Sequence, residues 1–300
     1  MAQQLRAIKR RIGSVKSTQK ITSAMELIAS SRVVKAQQRV KAARPYAEEM
    51  RRLMSSVAAK AGRIDHPLLK PRDEVTRVGT IVLSSDRGLA GAYNSNVLRH
   101  AERDMESHGK DNRLWLVGKK AITYFRFRGY EFDQESTWQG VSDYPRMEDA
   151  HEIARAATKA FQDGEVDQVR LVYTRFQSAV IQRPTMVQLL PLPKEELDEL
   201  QEQAKQQGPG PSYIFEPEPE AILGLLVPRY VEGNILQGLL ESSASEHAAR
   251  RRAMKAATDN ASDLIDDLTR VYNQARQAEI TTEIMEVIGG AEALSAAGRD

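Results

Sequence analysis

"MKAATDNASDLIDDLTRVYNQARQAEITTEIM", residues 254–285, decides how the chain is built. Met254, Ala257, Ala261, Leu264, Leu268, Val271, Ala275, Ala278, Thr282 and Met285 alternate steps of three and four without a break. That spacing lines small and apolar groups along one side of an α-helix, as a coiled-coil seam requires. Pro228 marks or kinks the start of the helix, and the Gly289–Gly290 pair ends it, since proline lacks an amide donor and glycine favours helix termini. The second long helix is therefore expected within residues 220–294. Its roughly 60 residues would reach about 90 Å at about 1.5 Å per residue.

A helix of that length cannot be buried in a 300-residue globule and must lean on another helix. The opening segment, residues 1–60, supplies one. It contains a single proline, Pro45, and a single glycine, Gly13. Leu5, Ile8, Ile12 and Val15, then Ala29, Val33, Ala36, Val40 and Ala43, repeat the same spacing. Polar Gln19, Thr22 and Glu26 interrupt the seam, while Ile21, Met25 and Ile28 lie on a neighbouring face. Two helices of matching length at opposite ends of the sequence imply one antiparallel intramolecular coiled coil with a domain inserted between them.

The insert reads differently. Residues 77–85, 113–121 and 168–176 have the apolar texture of buried strands, and 185–192 reads as a last strand after the break at Pro184. Residues 95–108 and 149–164 read as amphipathic helices. Strand–helix alternation implies a Rossmann-like α/β domain over residues 75–193. Residues 194–219, rich in Gln, Glu, Pro and Gly, read as a surface linker. The expected fold is α+β: a long antiparallel coiled coil of the N- and C-terminal helices carrying an inserted α/β domain.

Composition excludes several functions. With no cysteine, disulfides, thiol control and thiolate metal sites are ruled out. No apolar run reaches signal-peptide or membrane-spanning length, so a soluble, cytoplasmic protein without membrane insertion is expected. Net charge is only +2, but the first 60 residues hold 14 Lys and Arg against three Glu. A basic helix of this kind is a solvated face, a nucleic-acid or membrane-surface binder, or a partner for an acidic protein surface.

Catalytic motifs are missing. The five histidines show no metal-ligand spacing, and "HEIAR" at 151–155 lacks the second His of a zinc-protease helix. In "VGKKA", Lys119 follows Gly118 but Arg113 stands where a phosphate-binding loop needs glycine. "LSSDRGLAGAYNSN" (83–96) runs from a strand through Gly88 and Gly91 into a helix. It is a tight turn capped by Asp86 or Asn94, or a ligand loop lacking the full dinucleotide fingerprint. No catalytic residue, metal or cofactor is expected.

The helix tip is the sharper clue. Beyond Ala278, Ile280, Ile284, Val287 and Ile288 lie on the side opposite the seam, so the last three turns are apolar over most of their circumference. A two-stranded coiled coil buries one stripe only, so the tip calls for an apolar surround from a partner.

Here the chain resembles the gamma subunit family of bacterial F-type ATP synthases. "TQKITSAMELIASSRVVKAQ" (18–37) is similar to the family's opening helix, and residues 244–294 to its closing helix. "SSDRGLAGAYNSN" and "YIFEPEPEAILGLLVPRYVEG" are similar to its central signature and to the approach to its last helix. The resemblance implies a non-catalytic rotor shaft turning in the cavity of an alpha/beta hexamer, coupling proton flow through a membrane ring to ATP synthesis or hydrolysis. It implies bearing contacts for Ile280, Ile284, Val287 and Ile288, and contacts with beta-subunit loops for Lys20, Met25, Arg276, Gln277 and Thr281. Glu246 and Arg250 match a further coupling region. The α/β domain would bind the epsilon subunit and the c-subunit ring, and the protein would sit peripherally at the cytoplasmic face of the cell membrane. A basic coiled-coil nucleic-acid binder is the alternative from another class. An enzyme built on the Gly88–Gly91 turn is a third reading.

Overall fold

The computed structural model describes residues 2–60, 68–70, 72, 74–192 and 219–297. Helix α1 (Ala2–Lys60) opens the chain and helix α5 (Pro219–Ala297) closes it. Between them run β1 (Arg77–Leu83), α2 (Tyr93–His108), β2 (Asp111–Val117), α3 (Lys119–Phe127), β3 (Thr137–Trp138), α4 (Met147–Gln162), β4 (Gln168–Phe176) and β5 (Gln182–Leu190). The chain divides into two compact units: residues 1–28 with 251–300, and residues 29–250. Apart from Pro219, the segment expected as a linker lies outside the described residues.

In the larger unit the strands form one five-stranded sheet in the order β3-β2-β1-β4-β5. The first four are parallel and β5 runs antiparallel to β4. Buried β1 is apolar on both faces, as a parallel strand covered on each side must be. Val82, Leu114, Leu116 and Val172 share a core with Val97, Ala101 and Met105 of α2 and with Phe125 of α3. Ile81, Leu83, Trp115 and Leu171 share another with Ile153, Ala157 and Phe161 of α4, Met54 of α1 and Val231, Ile235 and Leu239 of α5. The long helices are therefore part of the body's core. A Cβ on Gly238 would sit 3.0 Å from Leu171 and 3.3 Å from Leu83, so α5 rests directly on the sheet.

The smaller unit is an antiparallel helix pair. Gln19 Nε2 donates to Ser262 Oγ at 2.7 Å, and Thr258 Oγ1 donates to Thr22 Oγ1 at 2.8 Å. As numbers rise along α1 they fall along α5. Leu5, Ile8, Ile12 and Val15 are half-buried in the seam as expected, but Gln19 and Thr22 belong to it too instead of interrupting it. On α5 the expected seam is half right. Met254, Ala261, Leu268 and Ala275 face the partner helix, but the alternate column is Thr258, Ile265, Tyr272 and Glu279. Leu264, Val271 and Ala278 are exposed instead. Apolar neighbours Leu264–Ile265 and Val271–Tyr272 offer either column, and the hydrogen bonds from Thr22 and Gln19 mark which one α1 meets.

Other boundaries move for identifiable reasons. Helix α5 starts at Pro219, where a missing amide costs nothing, and Pro228 lies within it. Its neighbours Val227, Tyr230 and Val231 are buried in the core and hold the helix through the break. The helix also continues past Gly289 to Ala297. Pro184 lies inside β5, paired with Thr174, because β5 is an edge strand with no further neighbour to receive its amide. Residues 119–121, expected to extend a strand, begin α3 after Gly118 turns the chain at φ +92°. In the strand-to-helix turn, Asp86 Oδ1 accepts from the Lys119 amide at 3.1 Å and so serves α3.

Candidate functional site

Four separated segments of the larger unit meet around one turn of α5. Arg250 donates to Glu246 Oε1 at 2.6 Å and to the Gly88 carbonyl at 3.2 Å, and its other terminal nitrogen lies 3.3 Å from His247 Nδ1. Glu246, His247 and Arg250 are all buried. Asp143, in the segment between β3 and α4, receives Arg32 of α1 at 3.0 Å and has Arg87 at 3.9 Å. The neighbouring Asp86 accepts from the Gly140 amide at 3.0 Å and from Ser142 Oγ at 3.1 Å. Arg39 of α1 donates to the Pro145 carbonyl and stacks 3.9 Å over the Tyr144 ring. Two of the basic residues of α1 thus serve the interior of this unit.

The electrostatics follow from burial. Desolvation pushes the Glu246 carboxyl up to about 7 despite the pull of Arg250. Desolvation, seconded by Arg250, holds His247 down at about 4, so the ring is neutral near neutral pH. Glu246 Oε2 and Asp143 Oδ1 are buried without a hydrogen-bond partner. A carboxylate oxygen from each and a ring nitrogen of His247 lie within 4.8 Å of one another. That donor set suits a divalent ion, but its surroundings do not. Arg250, Arg32 and Arg87 already supply positive charge to the same groups, and His247 Nδ1 faces a guanidinium.

The turn after β1 is spent internally as well. Ser85 Oγ donates to the Arg87 carbonyl at 2.6 Å, and Asn94 Oδ1 accepts from the Ser85 amide at 3.1 Å. Gly91 and Leu89 adopt φ of +56° and +62°, and the Gly88 carbonyl is taken by Arg250. These groups shape a tight strand-to-helix turn.

Glu246 and Arg250, both matched to the family's further coupling region, form an ion pair in the structure. The sequence alone misses Asp143, His247, Arg32 and Asp86, whose grouping depends on how loops return to α5. The remaining site residues lie in the smaller unit. Lys20 is exposed and Met25 half-buried on α1. Arg276, Gln277 and Thr281 are exposed on α5, with Thr281 Oγ1 donating to the Gln277 carbonyl at 2.9 Å. Ile280, Ile284, Val287 and Ile288 are exposed to 45, 53, 72 and 51%. Continued at the pace of the two hydrogen-bonded pairs, the start of α1 comes opposite Ala278. Beyond that point α5 runs on alone to Ala297, about 28 Å at the usual helical rise.

Comparison with known proteins agrees with this layout. A family model described as ATP synthase matches residues 4–294. The ATP synthase gamma chain of Frankia casuarinae is 50% identical over 302 residues, covering 98% of this chain and 99% of the relative. That of Thermobifida fusca is 47% identical, covering 99% and 98%. Among solved structures, a chain of the Euglena gracilis mitochondrial ATP synthase superposes with a TM-score of 0.65 at 18% identity, covering 100% of this chain and 97% of its own. A chain of the Tetrahymena thermophila central stalk and c-ring gives 0.59 at 24% identity, covering 79% and 99%. The nucleic-acid-binding alternative finds no support in these matches.

Proposed function

The chain belongs to the ATP synthase family, alongside its gamma chains, and from that premise we propose that it is the central rotor shaft of a bacterial F-type enzyme. It is a non-catalytic subunit: it couples ion flow through a membrane ring to ATP synthesis or hydrolysis carried out on other chains. The complex is membrane-associated, and among the described residues no helix is long and apolar enough to cross a bilayer. We place the chain peripherally, at the cytoplasmic face.

The overhang of α5 carries the reading. A lone helix with Ile280, Ile284, Val287 and Ile288 all exposed is poorly suited to water and well suited to an apolar sleeve. Hydrophobic contact is nondirectional, so such a sleeve does not hold the helix at one angle. We assign these four residues to bearing contacts with the alpha/beta hexamer. Lys20 and Met25, with Arg276, Gln277 and Thr281, are assigned to beta-subunit loops; the exposure of Lys20, Arg276, Gln277 and Thr281 in the helix pair supports this. Glu246 and Arg250 are assigned to a coupling region, although their mutual ion pair is buried. The body formed by the sheet is assigned to the epsilon subunit and the c-subunit ring.

Rotation works through differential binding. The helix pair presents different side chains at each azimuth, so each angle favours a different conformation in each of the three surrounding catalytic sites. Reconstitution of alpha and beta subunits with this chain tests the assignment. Cooperative ATP hydrolysis is expected to depend on adding it. Ile284→Asp combined with Ile288→Asp is expected to lower that turnover at least about tenfold, because carboxylates would enter an apolar surround. Unaltered assembly and turnover in the double variant would sink the bearing.

A further inference from the structure

The buried cluster on α5 leaves one requirement unmet. Glu246 Oε1 is held by Arg250, but Glu246 Oε2 has no donor, although the side chain is only 1% exposed. Asp143 Oδ1 is likewise buried and without a donor, while Asp143 Oδ2 takes Arg32. Arg250 serves Glu246 Oε1 and the Gly88 carbonyl, and Arg32 and Arg87 lie against Asp143 Oδ2, on the side away from the bare oxygen. Two neighbouring carboxylates cannot satisfy each other, since neither has a proton to donate. A carboxylate oxygen of each lies within 4.8 Å of the other, so a single added proton, with a small closure of that gap, makes one of them a donor to the other.

We propose that Glu246 is carried as the neutral acid and shares its proton with Asp143, forming a proton-dependent latch between α5 and the 139–146 segment. The groups facing Glu246 come from every element around it. On α5 itself stand His247 and Arg250; from the turn after β1 come Asp86 and Arg87, from α2 Tyr93, and from α1 Arg32, acting through Asp143. Tyr93 is fully buried and keeps its proton, pushed far up by burial and by Glu246, so it adds no charge. His247 is held neutral by the same burial. Of the three arginines only Arg250 touches Glu246, while Arg32 and Arg87 lie against Asp143. Loss of the proton puts a third carboxylate into the cluster beside Asp143. The 139–146 segment is the side free to respond, because Glu246 is part of a continuous helix.

The latch is independent of the rotor assignment, and the isolated full-length chain suffices to test it. Glutamate-selective ¹³C labelling lets each carboxyl be titrated by NMR, with Glu246→Gln identifying its signal. One glutamate is expected to titrate near pH 7, and Asp143→Asn is expected to move it down by more than about one unit by removing a like charge and supplying a donor. Amide exchange over residues 139–146, corrected for its intrinsic pH dependence, is expected to accelerate at least about tenfold between pH 6 and pH 8 in the parent chain. In Glu246→Gln, whose amide donates at any pH, the segment is expected to stay protected. The latch is overturned if Glu246 is ionised throughout that range, or if parent and Glu246→Gln lose protection together. It is overturned equally if stoichiometric Zn²⁺ or Mn²⁺ protects the segment at pH 8, which would assign the cluster to a metal instead.

Discussion

Helix α5 is one continuous helix in two environments. From Val227 to Arg250 nearly every residue is buried or half-buried, including Glu241, Ser242, Ser243, Ser245, Glu246 and His247. From Arg251 to Gly289 only Met254 and Ala261 are buried, and from Ile280 to Gly289 nothing is. The same secondary structure thus serves a packed core in one half and a solvent-exposed surface in the other. Polar residues are found in the buried half because the sheet and its loops supply partners for them: Thr174, Phe176, Asp143 and Gly88 are reached by side chains of α5 or lie in their cluster. Apolar residues are found in the exposed half, where the chain supplies none.

That contrast can be broken from either side. The largest effect is expected in the body: Phe161→Ala removes a fully buried ring from the core shared by α4, the sheet and both long helices. It should lower stability by about 3–5 kcal/mol, read from denaturant midpoints of the full chain.

The next test concerns the pH dependence built into the cluster. Glu246 is raised from 4.5 to about 7, so its contribution to stability is complete below about 4.5 and is lost as pH rises through 7. His247 is lowered from 6.5 to about 4, so its contribution is complete above 6.5 and is lost as pH falls through 4. The two slopes oppose each other across the shared window, and the parent chain should change little there. Glu246→Gln should leave stability rising with pH between 4 and 6.5. His247→Gln should leave it falling between 4.5 and 7, each by on the order of 2 kcal/mol. Parallel slopes in the two variants would contradict the assignment.

Smaller effects belong to the helix pair. A double-mutant cycle of Thr22→Val and Thr258→Val should give a coupling of about 0.5–1 kcal/mol, because Thr258 Oγ1 donates to Thr22 Oγ1 while each hydroxyl also has a carbonyl within reach on its own helix, Gln19 for Thr22 and Met254 for Thr258. Smallest of all, Ile284→Asp with Ile288→Asp should change the stability of the isolated chain by no more than about 0.5 kcal/mol. A large loss there would mean that the tip packs against this chain, which would remove the basis for an external sleeve.

Much of this was legible in the sequence. Step patterns in the two end segments gave both long helices, their pairing and the apolar tip, because coiled-coil burial repeats at short range; the overhang was not legible, since the two helices read as matching in length but run to 59 and 79 residues. Alternation between residues 77 and 190 gave the α/β insert for the same reason. What escaped was set by tertiary contact. Leu264 and Ile265 are equally apolar, and only the facing helix decides which is covered. Pro184 and Pro228 look like breaks until an edge position and a packed flank make them tolerable. Strand β3, two residues long, has no pattern to read. Asp143 and Arg32 are 111 residues apart, and no spacing rule links them.

The paired hydroxyls and amide midway along the helix pair have one more consequence. Greasy seams let two helices creep past one another by a turn with little penalty, since one methyl is much like the next. Gln19 with Ser262 and Thr22 with Thr258 act instead as keys in a keyway: shifting either strand by one turn breaks both cross-helix bonds at once. A drive rod that must not shear lengthwise under load needs such keys.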